Sequence, residues 1–265
     1  MNIKNTSFLL LLLLSASHWS YANAMPHYSE GHWLISGDVG AVWPNINSTM
    51  AVNNGSGFPA PGYQDLYSAS SSRDEGMLAA TAGYRWTQHD QTWFPAIELA
   101  LRYQYLFPQE IAGTVMQYSL PLFENYSYNW KTNANVLSIY TKLDLMQYHR
   151  LMPYVDVGLG VSFVHTKNYQ ESAFLGVAPR TSPAFADQTS TQFSYNVGAG
   201  VDFFLFPPLI LSLGYDYQSV GNIGSGTGRN RWSGTRLNLG RYGMNTALLS
   251  VTYLFDNPFV THSQK

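Results

Sequence analysis

The sequence predicts an all-β fold: a transmembrane, eight-stranded, antiparallel up-and-down β-barrel. Three observations favour it. Apolar and polar residues alternate with a period of two along eight segments, the connections between these segments are alternately short and long, and aromatic residues lie at both ends of the segments. Each predicted strand has about ten residues, the length that a tilted strand needs to cross a bilayer.

The composition excludes several classes of protein. Only 11% of the residues are charged, against about 25% in an ordinary soluble domain. The net charge of −2 argues against broad electrostatic binding to nucleic acid, so no nucleic-acid partner is expected. The chain contains no cysteine, which excludes disulfides, thiolate metal sites and a cysteine nucleophile. We expect no metal site and no cofactor.

The first 24 residues have the pattern of a secretory signal peptide. Lys4 supplies a positive charge, residues 8–14 are an unbroken apolar run, and Ala22, Asn23 and Ala24 give a small-x-small cleavage pattern. The apolar run is too short to span a membrane as a helix. We therefore predict cleavage near Ala24. The expected domains are residues 1–24 as signal peptide, 25–255 as barrel and 256–265 as a short C-terminal tail.

The alternation is clearest in residues 95–106, where Leu99 and Leu101 lie on one face and Glu98 and Arg102 on the other. Successive side chains of a strand point to opposite faces. The polar faces carry too few charges to coat a surface in water, but enough for a narrow polar interior. We therefore expect the apolar face to point outward, into lipid. The eight predicted strands are residues 33–43, 77–86, 95–106, 137–145, 154–163, 193–203, 209–218 and 246–255.

The connections between these strands sort by length. Short ones are expected to be periplasmic turns and long ones surface loops, as in outer-membrane barrels. Aromatic residues such as Trp86 and Tyr253 cluster at the turn end, and others such as Trp43 and Tyr215 at the loop end, so two interfacial aromatic rings are predicted. The short connections are residues 87–94, 146–153 and 204–208, and the four long ones are 44–75, 107–135, 165–191 and 219–243.

Four segments carry a family resemblance: residues 33–40 (WLISGDVG), 153–162 (PYVDVGLGVS), 195–202 (YNVGAGVD) and 253–255 (YLF). With these motifs the chain resembles the eight-stranded outer-membrane barrels of the outer-membrane protein A and opacity-protein type. The resemblance implies a bacterial outer-membrane location, insertion by the barrel-assembly machinery, and contact with outer-membrane lipids including lipopolysaccharide. Members of this family serve as structural barrels, adhesins or narrow pores, so the resemblance indicates place more narrowly than task.

Charged residues on the predicted inward face form the first candidate site. The interior of an eight-stranded barrel is only wide enough for side chains, and charges in a medium of low dielectric constant must pair or form hydrogen bonds. We therefore interpret them as a charge-paired plug, with an ion path as the alternative. They are Asp38, Arg85, Glu98, Arg102, Lys142, Asp144, Asp156, Asp202 and Asp216.

Four arginines in the last long connection form the second candidate site. Residues 221–242 contain them and no acidic residue. A guanidinium group suits phosphate and stays charged at any relevant pH, and the connection leaves the barrel at the expected depth of lipid A phosphates. We predict binding of lipopolysaccharide phosphates or anionic host glycans; a solvated loop without a binding role is the alternative. The arginines are Arg229, Arg231, Arg236 and Arg241.

Catalysis has little support in the sequence. His165 is the only histidine expected at the outer rim with a serine, Ser162, nearby, and no acid to orient it can be named. We predict that the protein is not an enzyme. The favoured function is a structural or adhesive role at the cell surface, with a host or surface ligand bound by the long loops. The alternatives are a narrow porin for small solutes or ions, and an enzyme acting on lipid A or phospholipid.

Overall fold

The computed structural model describes residues 31–71, 75–88, 93–180 and 184–255. Within these ranges the chain forms ten β-strands and three short 3-10 turns, and no helix there is long and apolar enough to cross a membrane. The predicted signal peptide and the predicted tail lie outside the described residues. The strands are β1 (His32–Asn45), β2 (Asn47–Asn53), β3 (Gln64–Ser71), β4 (Glu75–Thr87), β5 (Ala96–Met116), β6 (Glu124–Asp144), β7 (Leu151–Ala173), β8 (Gln188–Phe206), β9 (Leu209–Gly224) and β10 (Asn238–Phe255).

Eight of these strands form a closed antiparallel ring. Going round it, β1 pairs with β4, β4 pairs with β5, and each strand from β5 to β9 pairs with the next one along the chain. The ring closes between β1 and β10, where Trp33 lies opposite Phe255 and Trp43 opposite Asn245. The predicted eight-stranded, up-and-down barrel is confirmed.

In one section of the ring the outward face is apolar and the inward face is polar. On β5, Leu99 and Leu101 are exposed, whereas Glu98 and Arg102 on either side of them are buried inside the barrel. The section extends from the level of Phe255 on β10 to the level of Trp43 on β1. We call it the membrane section, because this arrangement suits a lipid exterior.

The ring continues well beyond the membrane section, and here the predicted loops were wrong. Residues 107–135 are mostly strand, because β5 runs to Met116 and β6 begins at Glu124. In the same way β7 runs to Ala173 and β9 to Gly224. The segment 44–75 holds the hairpin of β2 and β3, and β3 pairs with the far end of β5. We call this part of the molecule the distal extension (residues 46–71, 107–134, 164–180, 184–192 and 219–242).

The distal extension reverses the pattern of the membrane section. On β6, Tyr126, Tyr128 and Trp130 are buried, and the residues between them face outward. Side chains from β5, β7, β9 and β10, and from the hairpin of β2 and β3, join these three in one apolar core. Its outside is water, so the apolar face must turn inward. These segments lack the apolar outward face from which the eight strands were predicted, and they were therefore predicted as loops.

Candidate functional site: a filled lumen and an exposed apex

The interior of the membrane section holds a network of ion pairs. Arg85, on β4, contacts carboxylate oxygens of Glu98 and Asp144 and lies 3.7 Å from Asp202 Oδ2. Its side chain is only 1% exposed. The carboxylates come from β5, β6 and β8, so one guanidinium group joins four strands across the lumen.

Lys142 occupies the same layer from the β6 side. Its Nζ lies 2.9 Å from Asp202 Oδ2 and 3.3 Å from Glu98 Oε1, and 4.8 Å from the centroid of the Tyr154 ring. Two of the three Arg85 carboxylates are therefore shared with a second cation. Removing either cation would leave buried negative charge without full compensation.

A second group of charges lies around Arg102. Its Nη2 is 3.0 Å from Asp38 Oδ2 and its Nη1 is 3.4 Å from Asp216 Oδ2. Asp156 forms no ion pair with the described residues, and its Oδ1 instead accepts a hydrogen bond of 3.0 Å from Asn196 Nδ2. All nine lumen residues singled out in the sequence are buried, and eight of them form ion pairs. The network contains six carboxylates and three cations.

Inward glycines give the larger side chains of the lumen their space. A Cβ atom on Gly214 would lie 2.4 Å from the Tyr154 hydroxyl oxygen, and one on Gly198 would lie 1.9 Å from Asp216 Oδ1. Neither position can carry a side chain without displacing these groups. The glycines on β8 and β9 therefore let Tyr154 and Asp216 reach across the barrel.

Further layers fill the lumen on both sides of the charges. Toward the distal extension, the amides of Gln104 and Gln218 exchange hydrogen bonds of 2.9 and 3.0 Å. Toward the turn end lies a small apolar cluster of buried residues. The cavities beside Arg102 and above Leu106 each have room for about one water molecule. The apolar cluster consists of Leu34, Met152, Phe204, Ile210 and Leu254.

Arg180 closes the core of the distal extension from above. Its guanidinium carbon lies 4.2 Å from the ring centroid of Tyr126 and 4.8 Å from that of Trp232. Its Nη1 lies 3.1 Å from Asp65 Oδ2, and its Nη2 contacts Glu171. One side chain thus joins β3, β6, β7 and the β9–β10 connection. Arg180 was not predicted from the sequence, because its partners are distant along the chain and no local pattern marks it.

Burial raises the pKa of two groups beside Arg180. Loss of solvent raises the pKa of Glu171 above its usual value of 4.5, and the neighbouring Arg180 charge offsets only part of that rise. Burial also raises the pKa of the Tyr67 hydroxyl well above its usual value. Desolvation disfavours the charged form of both groups.

Three chain segments meet at the far end of the distal extension. The Ser119 hydroxyl donates to the Gln64 carbonyl at 3.1 Å, and the Phe174 amide donates to the Asn125 carbonyl at 2.9 Å. These bonds tie the β5–β6 connection to the hairpin on one side and to the end of β7 on the other.

This end of the molecule exposes large apolar side chains. Leu122 is 94% exposed and Leu175 is completely exposed. Residues 54–64, 117–123 and 172–179, which form the three tips, contain no Asp, Glu, Lys or Arg. Their apolar sequence is visible without a structure, but from the sequence these segments were predicted only as parts of the long surface loops. We call the exposed set the apex: Phe58, Leu120, Leu122, Phe123, Phe174 and Leu175.

The four arginines of the last long connection lie on different elements. Arg229 precedes a 3-10 turn that contains Arg231, Arg236 lies in the returning segment, and Arg241 lies on β10 opposite Asn222. The side chains of Arg229, Arg236 and Arg241 are exposed. The Arg231 side chain lies outside the described residues.

The serine and histidine considered for catalysis are not joined. The Ser162 hydroxyl is buried and donates to the Val220 carbonyl at 2.6 Å. His165 lies on the opposite face of β7, and its Nδ1 is 3.0 Å from Thr189 Oγ1. Within the described chain, no group of three or more His, Asp or Glu residues could hold a metal ion.

Solved structures with a similar arrangement are outer-membrane proteins. OprG from Pseudomonas aeruginosa has a TM-score of 0.45 and 14% identity, with 86% of this chain and 97% of that one covered. AlkL has a TM-score of 0.41 and 16% identity, with 91% and 98% covered. Ail of Yersinia pestis, solved in complex with the heparin analogue sucrose octasulfate, has a TM-score of 0.36 and 11% identity, with 85% and 99% covered. No curated protein sequence matches the chain significantly.

The family model of the outer membrane protein beta-barrel domain matches residues 6–255, nearly the whole chain. The closed ring and the lipid-facing apolar belt agree with that match. The predicted location is confirmed. The usual topology of such barrels predicts that the short turns are periplasmic and the distal extension extracellular, and this orientation stays a prediction. The chain belongs to the outer membrane protein β-barrel family and is a protein of the bacterial outer membrane.

Proposed function

We propose that this protein is a non-conducting barrel that holds a rigid interaction surface above the outer membrane, in an adhesive role. The observation that carries the proposal is the contrast between its interior and its apex. Paired charges and an apolar core fill the interior, whereas the apex exposes leucines and phenylalanines to solvent. Large exposed apolar patches are uncommon on protein surfaces, and where they occur they mark sites of interaction with another molecule.

The lumen argues for the plug and against the narrow porin. A permeating ion would have to displace Arg85 and Lys142 from the buried carboxylates that they contact. It would then meet the core around Trp130 and Ile111, which are 2% and 0% exposed. An apolar core offers no ligands to replace the hydration shell of an ion.

Conductance in planar bilayers tests this part of the proposal. Purified wild-type protein should insert without producing steady single-channel steps, while a porin reconstituted in parallel produces them. Insertion is verified separately by the mobility of the folded band in unheated gel samples. Reproducible unitary steps from the wild type would support the porin alternative instead.

Attachment of intact cells tests the adhesive role. A non-adherent bacterium that expresses the chain should attach to cultured host cells more than the same bacterium without it. The variant Leu122→Asp with Leu175→Asp should lose that gain, because charge at the apex opposes apolar contact. The matched variant Ser70→Asp with Gln170→Asp adds the same charge at exposed positions on β3 and β7 and should keep it. Equal attachment with and without the chain contradicts the role.

We also propose that the exposed arginines bind phosphate or sulfate groups of lipopolysaccharide or of host glycans. Arg241 supports this best, because it is exposed on β10, four residues nearer the apex than Asn245. Asn245 pairs with Tyr217 and Trp43 at the outer aromatic ring. Changing Arg229, Arg231, Arg236 and Arg241 to Gln should weaken lipopolysaccharide co-purification or heparin binding. The loss should be larger at low salt, where screening is weakest. Unchanged binding of both ligands at low salt contradicts it.

A further inference from the structure

We propose that the apex binds a second lipid bilayer, of zwitterionic phospholipid, by inserting its apolar side chains into that membrane. This inference rests on the proposed adhesive function and names the partner as a lipid surface. The feature that carries it is the pair of almost fully exposed leucines, on tips that contain no Asp, Glu, Lys or Arg.

The shape of the apex suits a fluid surface. Leu122 and Leu175 stand at the ends of connections rather than in a groove, with 94% or more of their surface free. Both leucines offer apolar contact on a projecting tip. A bilayer needs no matching shape, because its acyl chains adapt to what is inserted.

The charge of the apex suits a zwitterionic headgroup layer. The tips formed by residues 54–64, 117–123 and 172–179 contain no ionisable acidic or basic side chain. Insertion limited to these tips therefore brings no formal charge into the hydrocarbon, where charge is strongly disfavoured; the exposed Glu124 follows directly after the second tip. Tyr63 and Tyr118 lie half-buried beside the exposed residues, and tyrosine is a residue type that prefers the headgroup level.

The long strands below the apex hold it away from the membrane, and hydrogen bonds fix its tips to one another. From Phe107, at the outer aromatic ring, β5 continues for nine residues to Met116, which corresponds to about 30 Å along the strand. The hydrogen bonds of Ser119 and Phe174 hold the three tips together. The leucines are therefore presented together, away from the membrane in which the barrel sits.

A unique fluorescent label tests the proposal directly. The chain has no cysteine, so Leu122→Cys can carry a single environment-sensitive nitrobenzoxadiazole group on protein held in nanodiscs. Addition of separate phosphatidylcholine vesicles should shift its emission to the blue and raise its intensity at least twofold. The same label on Asn222→Cys, an exposed position on the wall of β9, should not respond.

The controls separate this inference from other occupants. With the label on Leu122→Cys, adding Leu175→Asp should reduce the response at least threefold, whereas Ser233→Asp should leave it unchanged. A response that needs anionic lipid overturns the inference in favour of binding through arginine. A response that grows with protein concentration in the absence of vesicles overturns it in favour of a second copy of the chain.

The last comparison is with the attachment assay. If vesicles produce no change at residue 122 while the Leu122→Asp, Leu175→Asp variant still abolishes attachment to cells, the lipid inference fails and the adhesive function stands with a protein or glycan partner. If the wild type does not promote attachment at all, the proposed function fails, whatever the label reports.

Discussion

The membrane section and the distal extension are built from the same strands. The apolar face of the strands points outward in the membrane section and inward in the distal extension. On β6, Ile139 points outward into lipid while Ser138 and Tyr140 point inward; nearer the apex, Tyr128 and Trp130 point inward. The two-residue period continues through both regions, but the apolar parity switches between them. The difference teaches that strand patterning reports the solvent on each side of the wall, because hydrocarbon selects apolar side chains outside and water selects them inside.

The interiors differ in the same way. The membrane section is filled by ion pairs around Arg85 and Arg102, and the distal extension by packed aromatic rings such as Tyr67 and Phe185, whose centroids are 5.9 Å apart. A charged interior depends on every partner being present, whereas an apolar one depends on volume. Substitutions should therefore act differently in the two regions.

The largest effect is expected from Arg85→Met. Removing one partner from a buried ion pair costs about 3–5 kcal/mol, and here Asp144 loses its only ion-pair partner among the described residues. The midpoint of urea unfolding, followed by tryptophan fluorescence of the lipid-folded protein, should fall sharply. Adding Asp144→Asn should recover part of the loss. A midpoint equal to that of the wild type would mean that the lumen charges are not coupled.

The next largest effect is expected from a lysine on the outward face, and it should differ between the two regions. Ile139→Lys places a charge near the middle of the lipid-facing belt and should lower the free energy of unfolding by about 2–4 kcal/mol. Gln170→Lys, on the exposed wall of the distal extension, should change it by less than about 0.5 kcal/mol. Equal effects at both positions in the same unfolding assay would contradict the assignment of the two regions.

A local effect, confined to the distal extension, is expected from Arg180→Gln. This change removes charged hydrogen bonds to Asp65 and Glu171. A hydrogen bond to a charged group is worth about 1.5–3 kcal/mol. Amides of residues 225–237 should exchange with deuterium faster, while amides of the membrane section should not change. Faster exchange throughout the barrel would show that the two regions unfold as one unit.

The smallest effect is a pH dependence confined to the distal extension. The folded-state pKa of Glu171 lies above its usual value of 4.5, so the folded state binds this proton more tightly than the unfolded state does. The contribution of Glu171 to stability therefore falls as the pH rises from about 4.5 through the folded pKa. A fluorescent label on Asn222→Cys should report a lower urea midpoint at the upper end of this range. Glu171→Gln should flatten the dependence, and an unaltered slope would assign it to another group.

The sequence by itself determined the barrel, the number of strands in its ring and the membrane that it occupies. The belt from Ile97 to Leu101 alternates with polar residues, and this local period needs no tertiary information. The buried position of Glu98, Arg102 and Lys142 also follows from parity, since each lies between lipid-facing neighbours.

Only the tertiary structure decided how far the strands run, which charges meet and what the far end exposes. Arg85 reaches Asp144 from 59 positions away, and Arg180 reaches Asp65 from 115 positions away; strand register and ring closure create these contacts. The exposure of Leu122 likewise depends on which segments gather beside it. A period of two fixes the face of a residue, but partners across a closed ring depend on the register of every strand between them.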